Sequence, residues 1–269
     1  METISPTQIQ TYLACPRKFS FRYVERVRPA FRAVALAFGS AIHSALSFFH
    51  RKCIEDESPP VSDIQRVFRA DWAAQQEGET PIRYEEGDDP SSFVPMGEAL
   101  LAEYVKTMGS AKIRGEEIGF RVPLLDCGTG EVLGPDLKGY FDLIVKGEQG
   151  DILCEIKTVA RVYDENTLRR QLQITAYAYA FRRFLGTDPT IQVIVLTKTK
   201  KPRVVVLPTE RPAAEDNWFT HLAAEVVAGI EAGVFPPNPS WMCKTCEYLT
   251  ECGKWMAAPH EAAMEEARP

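Results

Sequence analysis

The chain changes its hydrophobic period near its middle. Up to about residue 112 apolar positions recur at helical spacing. Ile9, Tyr12 and Leu13 form the first stripe, and further helices are expected over Ala35 to Lys52, Pro59 to Gln76 and Phe93 to Thr107. Ser5-Pro6 opens the first of these, with Ser5 as N-cap and Pro6 at the first helical position. Cys15 ends it, because the residue before a proline resists the α region. From Glu116 the period becomes two: Ile118, Phe120, Val122 and Leu124 alternate as in a half-buried strand. Cys127-Gly128-Thr129-Gly130 predicts a hairpin turn before Val132-Leu133, and strands follow over residues 139–145 and 152–158. A helix is expected over 164–184, with Leu168, Leu172, Ala176 and Tyr179 or Ala180 on one face. A β-hairpin over 191–197 and 203–207 and a helix over 211–232 complete the order.

Helices followed by strands and crossover helices predict an α/β fold. One domain over 1–269 is expected, with 44–112 as a helical insertion, 235–256 as a C-terminal cysteine segment and 257–269 as a tail. Residues 77–92 hold six Asp and Glu among glycines and prolines and read as a solvated loop.

Composition narrows the function classes. Apolar content of 45% and charged content of 25% are ordinary for a protein with a real core. A net charge of −6 argues against a generally basic DNA coat, while leaving room for a local basic face. The first residues carry neither a basic nor an apolar leader region, and apolar runs such as 191–196 are too short to cross a bilayer, so a cytoplasmic protein with no membrane partner is expected. The chain has seven cysteines; Cys15, Cys243, Cys246 and Cys252 stand in ligand-like positions, and Cys53, Cys127 and Cys154 read as small buried or idle thiols.

The candidate chemistry lies in the two central strands. Asp142 sits in Gly-Tyr-Phe-Asp-Leu-Ile-Val, and Glu155 and Lys157 sit two apart in Leu-Cys-Glu-Ile-Lys, so the latter pair point to one face. Strands this apolar rarely admit three charges without a reason. Two carboxylates and the intervening carbonyl of Ile156 are hard oxygen donors suited to magnesium or manganese. A lysine beside them can orient a water and stabilise a charged transition state. A plain ion pair among strand charges is the alternative.

These residues resemble the PD-(D/E)xK nuclease superfamily, specifically its RecB-like branch. The likeness rests on Gly-Tyr-Phe-Asp142, Glu155-Ile-Lys157-Thr158, Gln173-Ile-Thr-Ala-Tyr177 and, upstream, Gly39-Ser-Ala-Ile-His43. It implies a restriction-endonuclease-like central mixed sheet flanked by helices. It also implies that His43, Asp142 and Glu155 hold metal ions, that Lys157 is catalytic, and that Gln173 and Tyr177 line the site and contact DNA. Asp136 follows Pro135 and spells the family name, yet it precedes the apolar strand, so Asp142 is taken as the ligand; Glu117 is a further acidic neighbour.

Cys243-x2-Cys246-x5-Cys252, with Cys15 at the other end, offers four thiolates, which suit zinc or an iron–sulfur cluster. The order resembles the iron–sulfur nucleases of the same branch, the AddB-type and CRISPR-associated adaptation nucleases, and so implies a structural [4Fe–4S] cluster. Such a staple would close nearly the whole chain.

Arg161, Arg169, Arg170, Lys198, Lys200, Lys201 and Arg203 are candidates for a phosphate-binding face, and Phe19, Phe21, Tyr23 and Tyr177 for base stacking. No Walker A pattern is present, so a helicase would have to be a partner in recombination, repair or phage DNA metabolism. The reading is a metal-dependent DNA exonuclease preferring single strands or ends. A CRISPR nuclease trimming spacer precursors and a noncatalytic DNA-binding subunit are the alternatives.

Overall fold

The structure, a computed structural model, describes residues 1–148, 150–199 and 201–258. In chain order these form β1 (Thr3–Ile4), α1 (Pro6–Ala14), α2 (Pro16–Phe19), β2 (Arg32–Ala33), α3 (Val34–Ile54), α4 (Val61–Glu77), β3 (Ile82–Arg83) and α5 (Phe93–Met108). Then come β4 (Ile113–Val122), β5 (Asp136–Lys146), β6 (Asp151–Val159), α6 (Glu165–Arg169), α7 (Leu172–Leu185), β7 (Thr190–Thr197), β8 (Arg203–Thr209), α8 (Ala214–Glu231) and α9 (Leu249–Ala257). They gather into two compact units. One comprises residues 31–120 and 140–211; the other comprises 1–30, 121–139 and the segment from 212 onward.

The first of these units is a mixed sheet carrying helices. β5 and β6 pair antiparallel from Leu143↔Cys154 to Lys146↔Asp151. β6 and β7 pair parallel from Ile152↔Thr190 to Val159↔Thr197, with α6 and α7 as the crossover that a parallel pair requires. β8 returns antiparallel to β7. The almost unbroken apolar run of β7 follows from burial on both faces. Ile194 and Leu196 join one core with α3, α4 and α5, and Ile191, Val193 and Val195 join another with Leu168, Ile174 and Ala178. In the helical core Phe38 meets Phe68, Trp72 and Phe93 edge-on. Gly97 makes that approach possible, since a Cβ there would lie 2.1 Å from the Phe68 ring. Residue 44, the expected start of an insertion, falls inside α3.

The single helix expected over 164–184 is instead two, α6 and α7. The cause is Arg211, distant in sequence: its guanidinium donates to the carbonyls of Leu168 (2.7 Å) and Arg169 (3.2 Å), taking up groups that would otherwise continue the helix. The last long helix accordingly begins at Ala214, leaving buried Arg211 outside it.

In the other unit β1 pairs parallel with the start of β5, Thr3↔Asp136 and Ile4↔Leu137. The expected cap of α1 is a full capping box: Ser5 Oγ accepts from the Gln8 amide and Gln8 Oε1 from the Ser5 amide. Such a cap contributes about 1 kcal/mol. Phe19 and Phe21 are buried, Phe19 against Tyr12, Tyr23 and Phe235, and Phe21 against Tyr248. They are core residues and so are removed from the base-stacking candidates. Among the described residues no helix is long and apolar enough to cross a membrane.

Candidate active site

Four elements of the sheet-bearing unit bring the site together. Asp142 on β5 lies one step beyond the Leu143↔Cys154 pair, which sets it opposite Glu155 on β6. Its Oδ2 accepts the Ile156 amide at 2.8 Å. Glu155 is 2% exposed; its Oε1 takes Lys157 Nζ at 2.5 Å, and its Oε2 has no hydrogen-bond partner. Lys157 Nζ also donates to Gln173 Oε1 (2.9 Å), and Gln173 Nε2 donates to the Tyr177 hydroxyl (2.9 Å). Gln173 and Tyr177 are one turn apart on α7 and stack these contacts along its face. α3 supplies His43, half-buried and hydrogen-bonded to the backbone of Ile156.

The electrostatics are those of too much negative charge in too little water. Burial, then the Asp142 charge beside it, pushes Glu155 up to about 7, outweighing the pull of Lys157. Burial also raises Asp142, against the Ile156 amide and Lys157. Burial alone would lower Lys157, but Glu155 and then Asp142 hold it above its ordinary value, so it stays protonated. Burial lowers His43 and keeps the imidazole neutral, the state in which it can ligate.

Among the described residues no group of three or more His, Cys, Asp or Glu side chains is arranged to hold a metal ion as it stands. The donors nevertheless suit one. Two adjoining carboxylates, Glu155 buried and Asp142 half-buried, share a deficit of positive charge, and leaving the buried Glu155 Oε2 without a hydrogen-bond partner is costly, which suits a hard cation.

Tyr177 is buried, edge-on to Phe120 and Phe141, and its hydroxyl accepts from Gln173, which in turn accepts from Lys157. Arg161, Arg169, Arg170, Lys201 and Arg203 are exposed. Lys198 is half-buried, with the carboxylates of Glu85 and Asp88 acting on it, so the acidic loop occupies its charge. Lys200 lies outside the described residues. One neighbour of the site was missed in the sequence, and one expected acidic neighbour is present. Tyr163, half-buried, interacts electrostatically with Lys157 and Glu155. Glu117 acts on both Asp142 and His43. Tyr140 is 65% exposed, two residues from Asp142 and therefore on the same strand face. Its ring lies over Gly119, where a Cβ would meet it at 3.3 Å.

In the other unit all four ligand-like cysteines are free, half-buried thiols. Cys15 Sγ accepts the Asn238 amide and Cys243 Sγ the Ser240 amide, each at 3.4 Å. Burial raises the Cys252 thiol, followed by the neighbouring charges of Cys15, Cys246 and Cys243. Arg17 is 7% exposed, stacks on Trp255 at 3.9 Å and counters the Cys252 and Cys15 charges.

Residues 3–253 match the family model of the PD-(D/E)XK nuclease superfamily. A protein from Eubacterium rectale, provisionally named an exonuclease, has a crystal structure similar to this chain: TM-score 0.56, 15% identity, covering 92% of this chain and 88% of its own. That likeness is one of fold. The crystal structure of SSO0001 is more remote, with TM-score 0.44, 16% identity and coverage of 94% and 86%. No curated protein matches the chain.

Proposed function

Because the chain belongs to the PD-(D/E)XK nuclease superfamily, we propose that it is a divalent-metal-dependent DNA exonuclease acting on single strands or on ends. The observation that carries this reading is the buried Glu155 opposite half-buried Asp142, with Lys157 at 2.5 Å and one Glu155 oxygen unpartnered. Asp142, Glu155, the Ile156 carbonyl and His43 are the residues that would hold Mg2+ or Mn2+. A cation bound there lowers the pKa of a bound water and neutralises charge developing on the phosphate.

The chain's own groups do the rest. Lys157 keeps its proton because two carboxylates surround it, and so offers a fixed positive charge to the phosphodiester. Gln173 accepts a second bond from that ammonium, and Tyr177 holds Gln173. The exposed ring of Tyr140, on the Asp142 face, supports a preference for unpaired bases, which can stack on it. Exposed Arg161 and Arg170 at either end of the segment between β6 and α7 supply phosphate contacts. This sequence holds no Walker A motif, so where strand separation is needed a helicase would supply it, in repair, recombination or phage DNA metabolism.

We further infer that Cys15, Cys243, Cys246 and Cys252 bind a structural [4Fe–4S] cluster. Supporting this are the free state of all four, their mutual electrostatic contact, and two backbone amides donating to sulfur. Brown protein absorbing broadly near ~400 nm is expected; colourless protein with stoichiometric zinc would assign the site to zinc.

The deciding experiment incubates the purified chain with end-labelled single- and double-stranded DNA, linear and circular, with and without Mn2+. Release of labelled nucleotides from linear single strands, dependent on metal, is expected. Intact DNA under every condition would refute the proposal.

A further inference from the structure

β4 departs from a regular strand beside the site. Glu117 has φ of 45°, a left-handed conformation that residues other than glycine, asparagine and aspartate adopt rarely. The alternation of exposed and covered positions breaks at the same place, where Gly115 and Glu116 are both half-buried in succession. An interrupted pleat of this kind re-aims a side chain, and strained backbone persists only where the surroundings hold it. What holds it here is the preceding residue. The Glu116 side chain, 9% exposed, accepts the Ser47 hydroxyl at 2.8 Å and faces Arg51 Nε at 3.7 Å. Ser47 and Arg51 stand one and two turns beyond His43 on α3.

We propose that Glu116, clamped by Ser47 and Arg51, is a positioning residue that fixes the left-handed turn at Glu117 and so directs the Glu117 carboxylate at the metal-binding group of His43 and Asp142. The exposed Glu117 has no such fastening of its own, since its contribution to His43 and Asp142 is through charge and not through a hydrogen bond. This inference rests on the metal-dependent reading above.

The test is a double-mutant cycle read by Mn2+ affinity, measured by calorimetry and by electron paramagnetic resonance in the absence of DNA. Glu117→Gln and Glu116→Ala should each weaken Mn2+ binding, on the order of 10-fold, as removal of a group orienting a ligand does. Ser47→Ala, a milder change, should weaken it in the same direction and guards against Glu116→Ala failing to fold. In the Glu117→Gln background, Glu116→Ala should add less than about twofold, because its effect passes through Glu117. A full further loss in that background would overturn the positioning role while leaving the metal site standing. Wild-type protein that binds no Mn2+ would overturn the metal-dependent reading, and the clamp with it.

Discussion

Replacing Glu155 by glutamine should make the metal-free protein more stable while removing its activity. Burial and Asp142 raise the folded-state value of Glu155 from 4.5 to about 7. The folded protein therefore keeps this proton up to about pH 7, whereas the unfolded chain releases it near 4.5. Across that window the folded state binds more protons, so stability falls as pH rises, and the whole cost is present above pH 7. At about 1.36 kcal/mol per unit, the penalty is about 3 kcal/mol at pH 8 and about 1 kcal/mol at pH 5. Glutamine mimics the protonated acid and can still accept from Lys157, so it escapes this cost. Thermal unfolding in EDTA should show Glu155→Gln melting about 5 °C above wild type at pH 8, with the gap narrowing at pH 5. Added Mn2+ should raise the wild-type midpoint and leave the variant's in place, since only the wild type retains the charged ligand. A variant less stable than wild type at pH 8 in EDTA, or a gain that ignores pH, would refute the account of the site as an unneutralised carboxylate pair.

Lys157→Ala should lower the cleavage rate by roughly 10²- to 10³-fold with the circular dichroism spectrum unchanged; single-turnover assays on labelled DNA measure it, and full activity would remove the lysine from the mechanism. Tyr140→Ala should weaken binding of single-stranded oligonucleotides by roughly 10-fold or more, with Tyr140→Phe retaining most of it, as fluorescence anisotropy in Ca2+ would show. Cys252→Ser should lose the absorbance near ~400 nm and lower the thermal midpoint, because a three-thiolate site holds a cluster poorly; unchanged colour and midpoint would exclude Cys252 as a ligand.

Legibility in the sequence followed the range of the interaction that fixed each feature. Asp142, Glu155 and Lys157 could be found because a charge inside an apolar strand is a local anomaly, visible in a window of seven residues. The Ser5 cap and the break at Cys15-Pro16 are likewise spelled by adjacent residues. The division of α6 from α7 was not legible, because its cause is Arg211, about 40 residues later, donating to Leu168 and Arg169. The aromatics after Cys15 misled for a similar reason: basic residues alternate with Phe19 and Phe21, yet Phe235 and Tyr248 arrive from the far end of the chain to bury them. The turn at Glu117 is a backbone conformation imposed by partners on α3, and no residue type announces it.

Gln173 and Tyr177 show how a resemblance can name the right residues and leave their work open. The likeness implies that both meet DNA, but the hydrogen bonds run inward. A carboxamide has one acceptor and one donor end, and Lys157 needs the acceptor. Tyr177, held by Phe120 and Phe141, takes the donor end, and an amide turned with its NH2 toward the ammonium would lose the Lys157 bond, since both groups would then be donors. The burial that makes Glu155 costly as an anion also makes Lys157 dependent on such support, since a buried cation is kept by its partners. The lysine is held by both Glu155 and Gln173. If a metal cation drew Glu155 away from the ammonium, the Gln173 contact would remain to hold Lys157 in place. In the proposed mechanism α7 therefore acts through Lys157, and exposed residues such as Tyr140 are the candidates to face DNA.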